Sequence, residues 1–280
     1  MSRGPEGIAV EKKGPLAMVV FRRPDRMNAF NRAMFEQLEE AVRELSHAPL
    51  PKAVIVTGAG SQAFSSGFDV NTDNPMVAEM ARAIERREKE PIARAIRTVR
   101  AAVDHLVALP VPIIAAINGK AFGGGAELAV RCDLRVMDPA AQICFSEVRL
   151  GLMPDWGGGA TLAHLIGPAA AADLILTARR VGADEALQMG LVNRVSAPGK
   201  AVDEAVEMAE TIMRNGPRAV RSALTVIRAG RNLSLEATLD LEQRMAVDLI
   251  ASGECLHGIG AFLTGETPDF PDLSPEDSTE

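Results

Sequence analysis

Residues 118–159 hold two glycine-rich turns and, in or near those turns, the carboxylates Glu127, Glu147 and Asp155. The first turn reads Asn118-Gly119-Lys120-Ala121-Phe122-Gly123-Gly124-Gly125-Ala126-Glu127, and the second Gly151-Leu152-Met153-Pro154-Asp155-Trp156-Gly157-Gly158-Gly159. Glycine runs let backbone amides approach a ligand closely, because no Cβ stands in the way. The first run opens a helical pattern at 124–131 directly after an apolar strand at 111–117. Free N–H groups at a helix start favour negative charge, either a phosphate or a developing oxyanion. Glu127 falls in the first turn of that helix. An oxyanion site beside a carboxylate is the outline of an enzyme acting on acyl groups.

A second loop has the same character. The apolar run at 54–57 leads into Gly58-Ala59-Gly60-Ser61-Gln62-Ala63, the spacing of a dinucleotide fingerprint, but that fingerprint must open a helix in a βαβ unit. Here the chain continues as Phe64-Ser65-Ser66-Gly67-Phe68-Asp69, which reads as a tight loop after a strand. One amide from each loop, Phe68 and Gly124, suffices for a two-donor oxyanion hole; two ordinary turns is the competing reading. Each carboxylate also has a plain structural role open to it. Glu127 can complement a helix dipole, Glu147 can be a surface residue after a strand, and Asp155 can cap the helix starting near Gly157. Their collection at strand ends favours chemistry, since carboxylates beside an apolar pocket take divergent pKa values and split into base and acid. Trp156 reads as packing, or as the lining of an acyl pocket. His47, His105, His164 and His257 pair with no serine or cysteine nucleophile visible in the sequence, and His105 is expected to pack. No metal-ligand spacing occurs.

These turns must be held by a sheet. Strand signals at 8–10, 17–21, 53–57, 111–117, 134–137, 142–145 and 191–195 alternate with helical patterns at 32–45, 92–109, 126–131, 158–165 and 169–177, the signature of an α/β architecture. Ile92, Ile96, Val99, Val103, Leu106 and Leu109 recur every three or four residues, so one face of that helix is core. From about residue 198 the strand signals stop. Helices are expected at 202–213, 218–229 and 235–262, and a helical tail lacking its own sheet packs on a neighbouring subunit or back on the domain. The boundaries are therefore set at 1–197 for the catalytic core, 198–265 for a helical oligomerisation region and 266–280 for a flexible tail rich in Pro and acidic residues.

A chain of 280 residues with 47% hydrophobic and 24% charged content is that of an ordinary soluble globular protein. Its net charge of −7 argues against nucleic-acid or anionic-membrane surfaces. Cys132, Cys144 and Cys255 are an odd set, as expected of reduced thiols in the cytoplasm. The first residues lack an apolar signal core, and no apolar run is long enough to span a bilayer. A soluble cytoplasmic protein is expected.

In order along the chain, these residues resemble the crotonase (enoyl-CoA hydratase/isomerase) superfamily. The resemblance rests on Arg23-Pro24-x-x-x-Asn28-Ala29, Phe64-Ser65-Ser66-Gly67-Phe68-Asp69, Asn118-Gly119-x-Ala121-x-Gly123-Gly124-Gly125-x-Glu127-Leu128, Glu147-x-x-x-Gly151-Leu152-x-Pro154 and Ala183-x-Glu185-Ala186-x-x-x-Gly190-Leu191-Val192. It implies an α/β spiral of ββα units with a helical C-terminal region that builds trimers, usually paired into hexamers. It implies an acyl-CoA thioester substrate, with coenzyme A carried on that substrate and no metal or redox cofactor. By position, the amides of Phe68 and Gly124 would hold the thioester oxygen, and Glu127 and Glu147 match the two acid/base glutamates of hydratases. Ser66, Asp69 and Val70 would run along the CoA moiety, with Arg26 near its nucleotide end. Asp155 stands where dienoyl-CoA isomerases carry a catalytic carboxylate, so double-bond migration is the alternative to hydration. Phe68 replaces a usually small residue, and the acidic tail at 265–270 lies where many relatives place lysines. A catalytically idle scaffold is a remote third reading, opposed by the intact glutamate pair.

Overall fold

The computed structural model describes residues 6–47 and 49–272. The chain opens with an antiparallel hairpin, β1 (Gly7–Lys13) and β2 (Leu16–Arg22), followed by helix α1 (Arg32–Leu45). Three strand–strand–helix turns follow. The first is β3 (Ala53–Gly58), β4 (Ala63–Ser65), α2 (Pro75–Glu85) and α3 (Lys89–Val107); the second is β5 (Ile113–Ile117), β6 (Lys120–Phe122) and α4 (Gly124–Arg131). The third is β7 (Leu134–Met137), β8 (Ile143–Cys144), a 3₁₀ turn at Glu147–Leu150, and helices α5 (Gly158–Ile166), α6 (Pro168–Thr177) and α7 (Ala183–Gln188). A last strand, β9 (Arg194–Val195), and α8 (Ala201–Met213) close the body; α9 (Pro217–Ala229), α10 (Leu235–Ala251) and α11 (Glu254–Thr264) complete the chain.

The first strand of each turn enters a six-stranded sheet of order β1-β2-β3-β5-β7-β9, parallel except at β1–β2, and the second enters a small parallel sheet, β4-β6-β8. This is the expected spiral of ββα units. The central strands are buried on both faces, which is why they read as unbroken Val/Ile/Ala runs. Successive residues face opposite sides: Val54, Val56, Ile113 and Ala115 join the core under α1 and α3, while Ile55, Ile114 and Val136 meet Ala205, Met208 and Ala209 of α8.

The structure moves several expected boundaries. The strand at 111–117 begins only at Ile113, since Pro112 has no N–H for the ladder. The strand at 142–145 shortens to two residues. The one at 191–195 also shortens, because the N–H groups of Leu191 and Val192 turn back to the Ala186 carbonyl and close α7. Strands β4 and β6 and helices α2 and α7 were not foreseen as elements. Strand β6 stands between the apolar run and α4, so that helix does not follow it directly. The single helix expected at 235–262 is two, broken at Gly253 (φ +77°) and bent by 70°. No single helix among the described residues is long and apolar enough to cross a membrane. Within the tail, Phe270 rests on His257 and Asp272 pairs with Lys52 at 2.8 Å, while residues 273–280 lie outside the described residues.

Candidate active site

The loop carrying Phe68 is pinned from below by one asparagine. Asn28 takes a left-handed conformation (φ +53°), which Asn tolerates better than most residues. From there its Oδ1 accepts the Arg23 N–H (2.9 Å), its Nδ2 donates to the carbonyls of Ala59 (3.0 Å) and Ala63 (2.7 Å), and its own carbonyl accepts the Ser65 hydroxyl (2.9 Å). Ser65 Oγ in turn accepts the Gly67 N–H, and the Met27 carbonyl accepts that of Ser66. On either side of Phe68, the Gly67 carbonyl and the Asp69 N–H are bonded to Phe30. The amide of Phe68 is left over. Among the described residues neither it nor the Gly124 N–H, at the open start of α4, donates to another group of the chain. The two segments touch: Gly67 has φ +82°, and a Cβ there would lie 2.5 Å from the Gly124 nitrogen. Two unsatisfied amides on adjoining segments form an anion-binding corner.

Glu127, one turn into α4, is buried. Its Oε1 accepts the Asp155 N–H (3.1 Å), and its Oε2 accepts those of Trp156 (2.9 Å) and Gly158 (2.8 Å). Gly158 permits this contact, since a Cβ at that position would lie 2.4 Å from the Glu127 Cα. Glu147 starts the 3₁₀ turn, and both its carboxylate oxygens are buried with no hydrogen-bond partner among the described residues. Burial, then the neighbouring Glu147, push Glu127 up to about 8; burial also raises Glu147 and Asp155. Two buried glutamates this close titrate as a pair, and their macroscopic steps belong to both. The backbone amides lower Glu127 but do not offset its burial and the neighbouring Glu147. The pair therefore keeps a proton at neutral pH.

These groups share an open cleft of about 250 Å³. Ser66, Phe68, Val70, Gly124, Glu127, Glu147 and Asp155 all line it, as does Trp156, which also packs edge-on against Phe30 and Phe35. Two expected residues do not. Arg26 lies outside the cleft in an exposed pair with Asp73 (2.8 Å). Asp69 is buried with Arg23 (2.8 Å), and both its N–H and its carbonyl are bonded within the chain, to Phe30 and Asn74. Burial works against the Asp69 charge, but hydrogen bonds from Asn71 and Arg23 hold its carboxyl below the usual range. Asp69 thus fastens the Phe68 loop to the start of α2.

Asp155 does not cap α5. Gly157 holds the cap position in a left-handed conformation without a side-chain bond, and Asp155 is an exposed residue at the cleft rim whose carboxyl is only partly desolvated by the cleft. His105 does not pack in the core; it is exposed and pairs with Glu39 at 2.9 Å. Sequence reading missed Ser146, Leu150, Leu152 and Met153, which line the cleft after β8. The apolar triplet Leu152-Met153-Pro154 was the signal for two of them.

A ββα spiral whose loops bring two free amides and two neighbouring glutamates into one cleft has the outline of an enzyme of acyl thioesters. The enoyl-CoA hydratase/isomerase family profile matches residues 11–273, and the chain belongs to that family. It is 34% identical to a short-chain-enoyl-CoA hydratase of Clostridium acetobutylicum over 89% of this chain and 88% of that one. It is 32% identical to a crotonyl-CoA hydratase of Syntrophomonas wolfei over 95% and 98%. The crystal structure of an enoyl-CoA hydratase from Bacillus anthracis superposes with a TM-score of 0.87 at 32% identity, covering 96% of this chain and all of that one.

Proposed function

We propose that the chain is a hydro-lyase adding water across the double bond of a 2-enoyl-CoA. The observation that carries this is the pair Glu127 and Glu147, which keeps a proton at neutral pH and faces one cleft beside the unpaired amides of Phe68 and Gly124. The two amides accept the thioester oxygen and stabilise it as it becomes an enolate. Glu127 takes a proton from water as the water oxygen bonds to Cβ. Glu147 gives its proton to Cα, and the enolate collapses to the 3-hydroxyacyl thioester. Atoms balance with substrate and water alone, so coenzyme A enters only as part of the substrate. Ser66 and Val70 border the path of the CoA arm at the cleft, Asp69 holds that loop in place, and Arg26 stays a peripheral candidate for the nucleotide end.

Assembly into a homo-oligomer, a trimer or hexamer, is part of the proposal. No residue of α10 is buried, and α10 and α11 expose Leu235, Val247, Ile250, Leu256, Phe262 and Leu263, an apolar surface of the kind that marks subunit contacts. Cys132, Cys144 and Cys255 are free thiols, in keeping with a cytoplasmic location.

Purified protein is expected to remove the enoyl-thioester absorbance of crotonyl-CoA, and Asp155→Asn is expected to keep that activity within about tenfold. Isomerisation of a 3-enoyl- or 3,5-dienoyl-CoA that depends on Asp155, with no hydration, would replace this reading by the alternative. The pH dependence follows from the pair. As pH rises through about 8 the last shared proton is lost and no acid remains for Cα, so kcat/KM is expected to fall about tenfold per unit above that point. A profile flat from pH 7 to 10 would contradict the proton assignment.

A further inference from the structure

A second cleft of about 220 Å³ lies between α1, α2 and α3, and it shares three wall residues with the first: Met76, Met80 and Ala95. Resting on the acyl-thioester reading, we propose that this second cleft receives the distal part of a long acyl chain, and that Met76 and Met80 form the movable partition it passes.

The two sides of the partition differ in stiffness. On one side Trp156 lines the first cleft and Phe35 the second, their rings edge-to-face at 5.3 Å and both locked against Phe30. On the other stand two unbranched thioether side chains, which rearrange at little cost. Met76, Met80 and Ile84 recur every four residues and so share one face of α2, a helix with only Met76 and Ala83 buried. Beyond the methionines the floor remains apolar, with Phe35, Pro91, Ala95 and Ala102. Arg32, Glu36, Glu39, Glu79 and Arg94 also line this cleft, and Arg32 of α1 pairs with Glu79 of α2. The apolar strip running from the methionines to Ala102 fits a straight hydrocarbon tail.

The test is kcat/KM over straight-chain 2-enoyl-CoAs from four to sixteen carbons, for wild type and Thr98→Trp. Thr98 lines the second cleft from α3, is exposed and does not line the first. In wild type each methylene that enters the second cleft is expected to raise kcat/KM up to about fourfold, the effect of burying one CH₂. Thr98→Trp should leave the four-carbon substrate unchanged and lower the longest ones at least about tenfold. Glu36→Trp, filling the same cleft from α1, should truncate the profile in the same way and guards against a folding defect in either variant. Wild type that hydrates crotonyl-CoA but rejects longer chains, or variants whose profiles match wild type, would overturn the inference alone. Inactivity toward every chain length would instead overturn the hydratase reading, and this inference with it.

Discussion

Glu147→Gln is expected to lower kcat on crotonyl-CoA by about 10²–10⁴ while leaving the protein at least as stable as wild type. The activity loss follows from chemistry: a carboxylic acid can deliver a proton to Cα, whereas an amide cannot, and a positioned acid is worth about that factor. The stability follows from surroundings. Among the described residues neither oxygen of Glu147 has a hydrogen-bond partner, and both are buried, so ionising this group inside the fold is penalised. A carboxyl raised in the folded state binds more protons folded than unfolded between its two pKa values. Stability therefore falls as pH climbs from the ordinary carboxylate range, about 4.3, toward the raised value. Thermal midpoints at pH 6 and pH 8.5 should show wild type losing more than Glu147→Gln over that interval. A variant that keeps kcat within about tenfold of wild type would move the proton donor elsewhere, with Asp155 the next candidate.

Gly67→Ala should be nearly as damaging without touching an ionisable group. Its φ of +82° is costly for any L-residue, about 1–2 kcal/mol. The added Cβ would also sit 2.5 Å from the Gly124 nitrogen and 3.1 Å from the Phe122 carbonyl. These are backbone atoms that cannot swing aside, so the two loops must part and their amides cease to converge on one oxygen. A loss of about 10²–10³ in kcat is expected, the usual effect of removing one oxyanion donor. Gly14→Ala is the control. It carries the same positive-φ strain (φ +57°) with nothing within 4 Å, so it should lower the thermal midpoint and leave kcat unchanged.

What was readable in the sequence follows from how many residues each feature spans. Strands β3 and β5 and helices α1 and α3 announce themselves because their burial repeats over five or more residues. Strands β4 and β6 have three residues each and include Ser65 and Lys120, too short for any period to register. Helix α2 was legible after the fact: Asn74 caps it, Pro75 takes its first position, and Met76, Met80 and Ile84 sit four apart. Phe68, Gly124 and Glu127 could be singled out because glycines mark where backbone must approach closely, and they line one cleft with Glu147. The anchoring roles of Asn28 and Asp69 could not, since they depend on which carbonyls happen to lie nearby in three dimensions. For a related reason the sequence did not show the Asp73 that engages Arg26.

The hold on Glu127 has a bearing on how such a site changes over evolutionary time. Its three donors are main-chain N–H groups of residues 155, 156 and 158, and two of those positions aim their side chains into the cleft. Main-chain donors are present whatever side chain occupies the position. Residues 155 and 156 can therefore be rewritten by single mutations, altering acidity or shape in the cleft, while Glu127 keeps its anchorage. A cleft of this kind can change its chemistry along a path on which its buried carboxylate need never come loose.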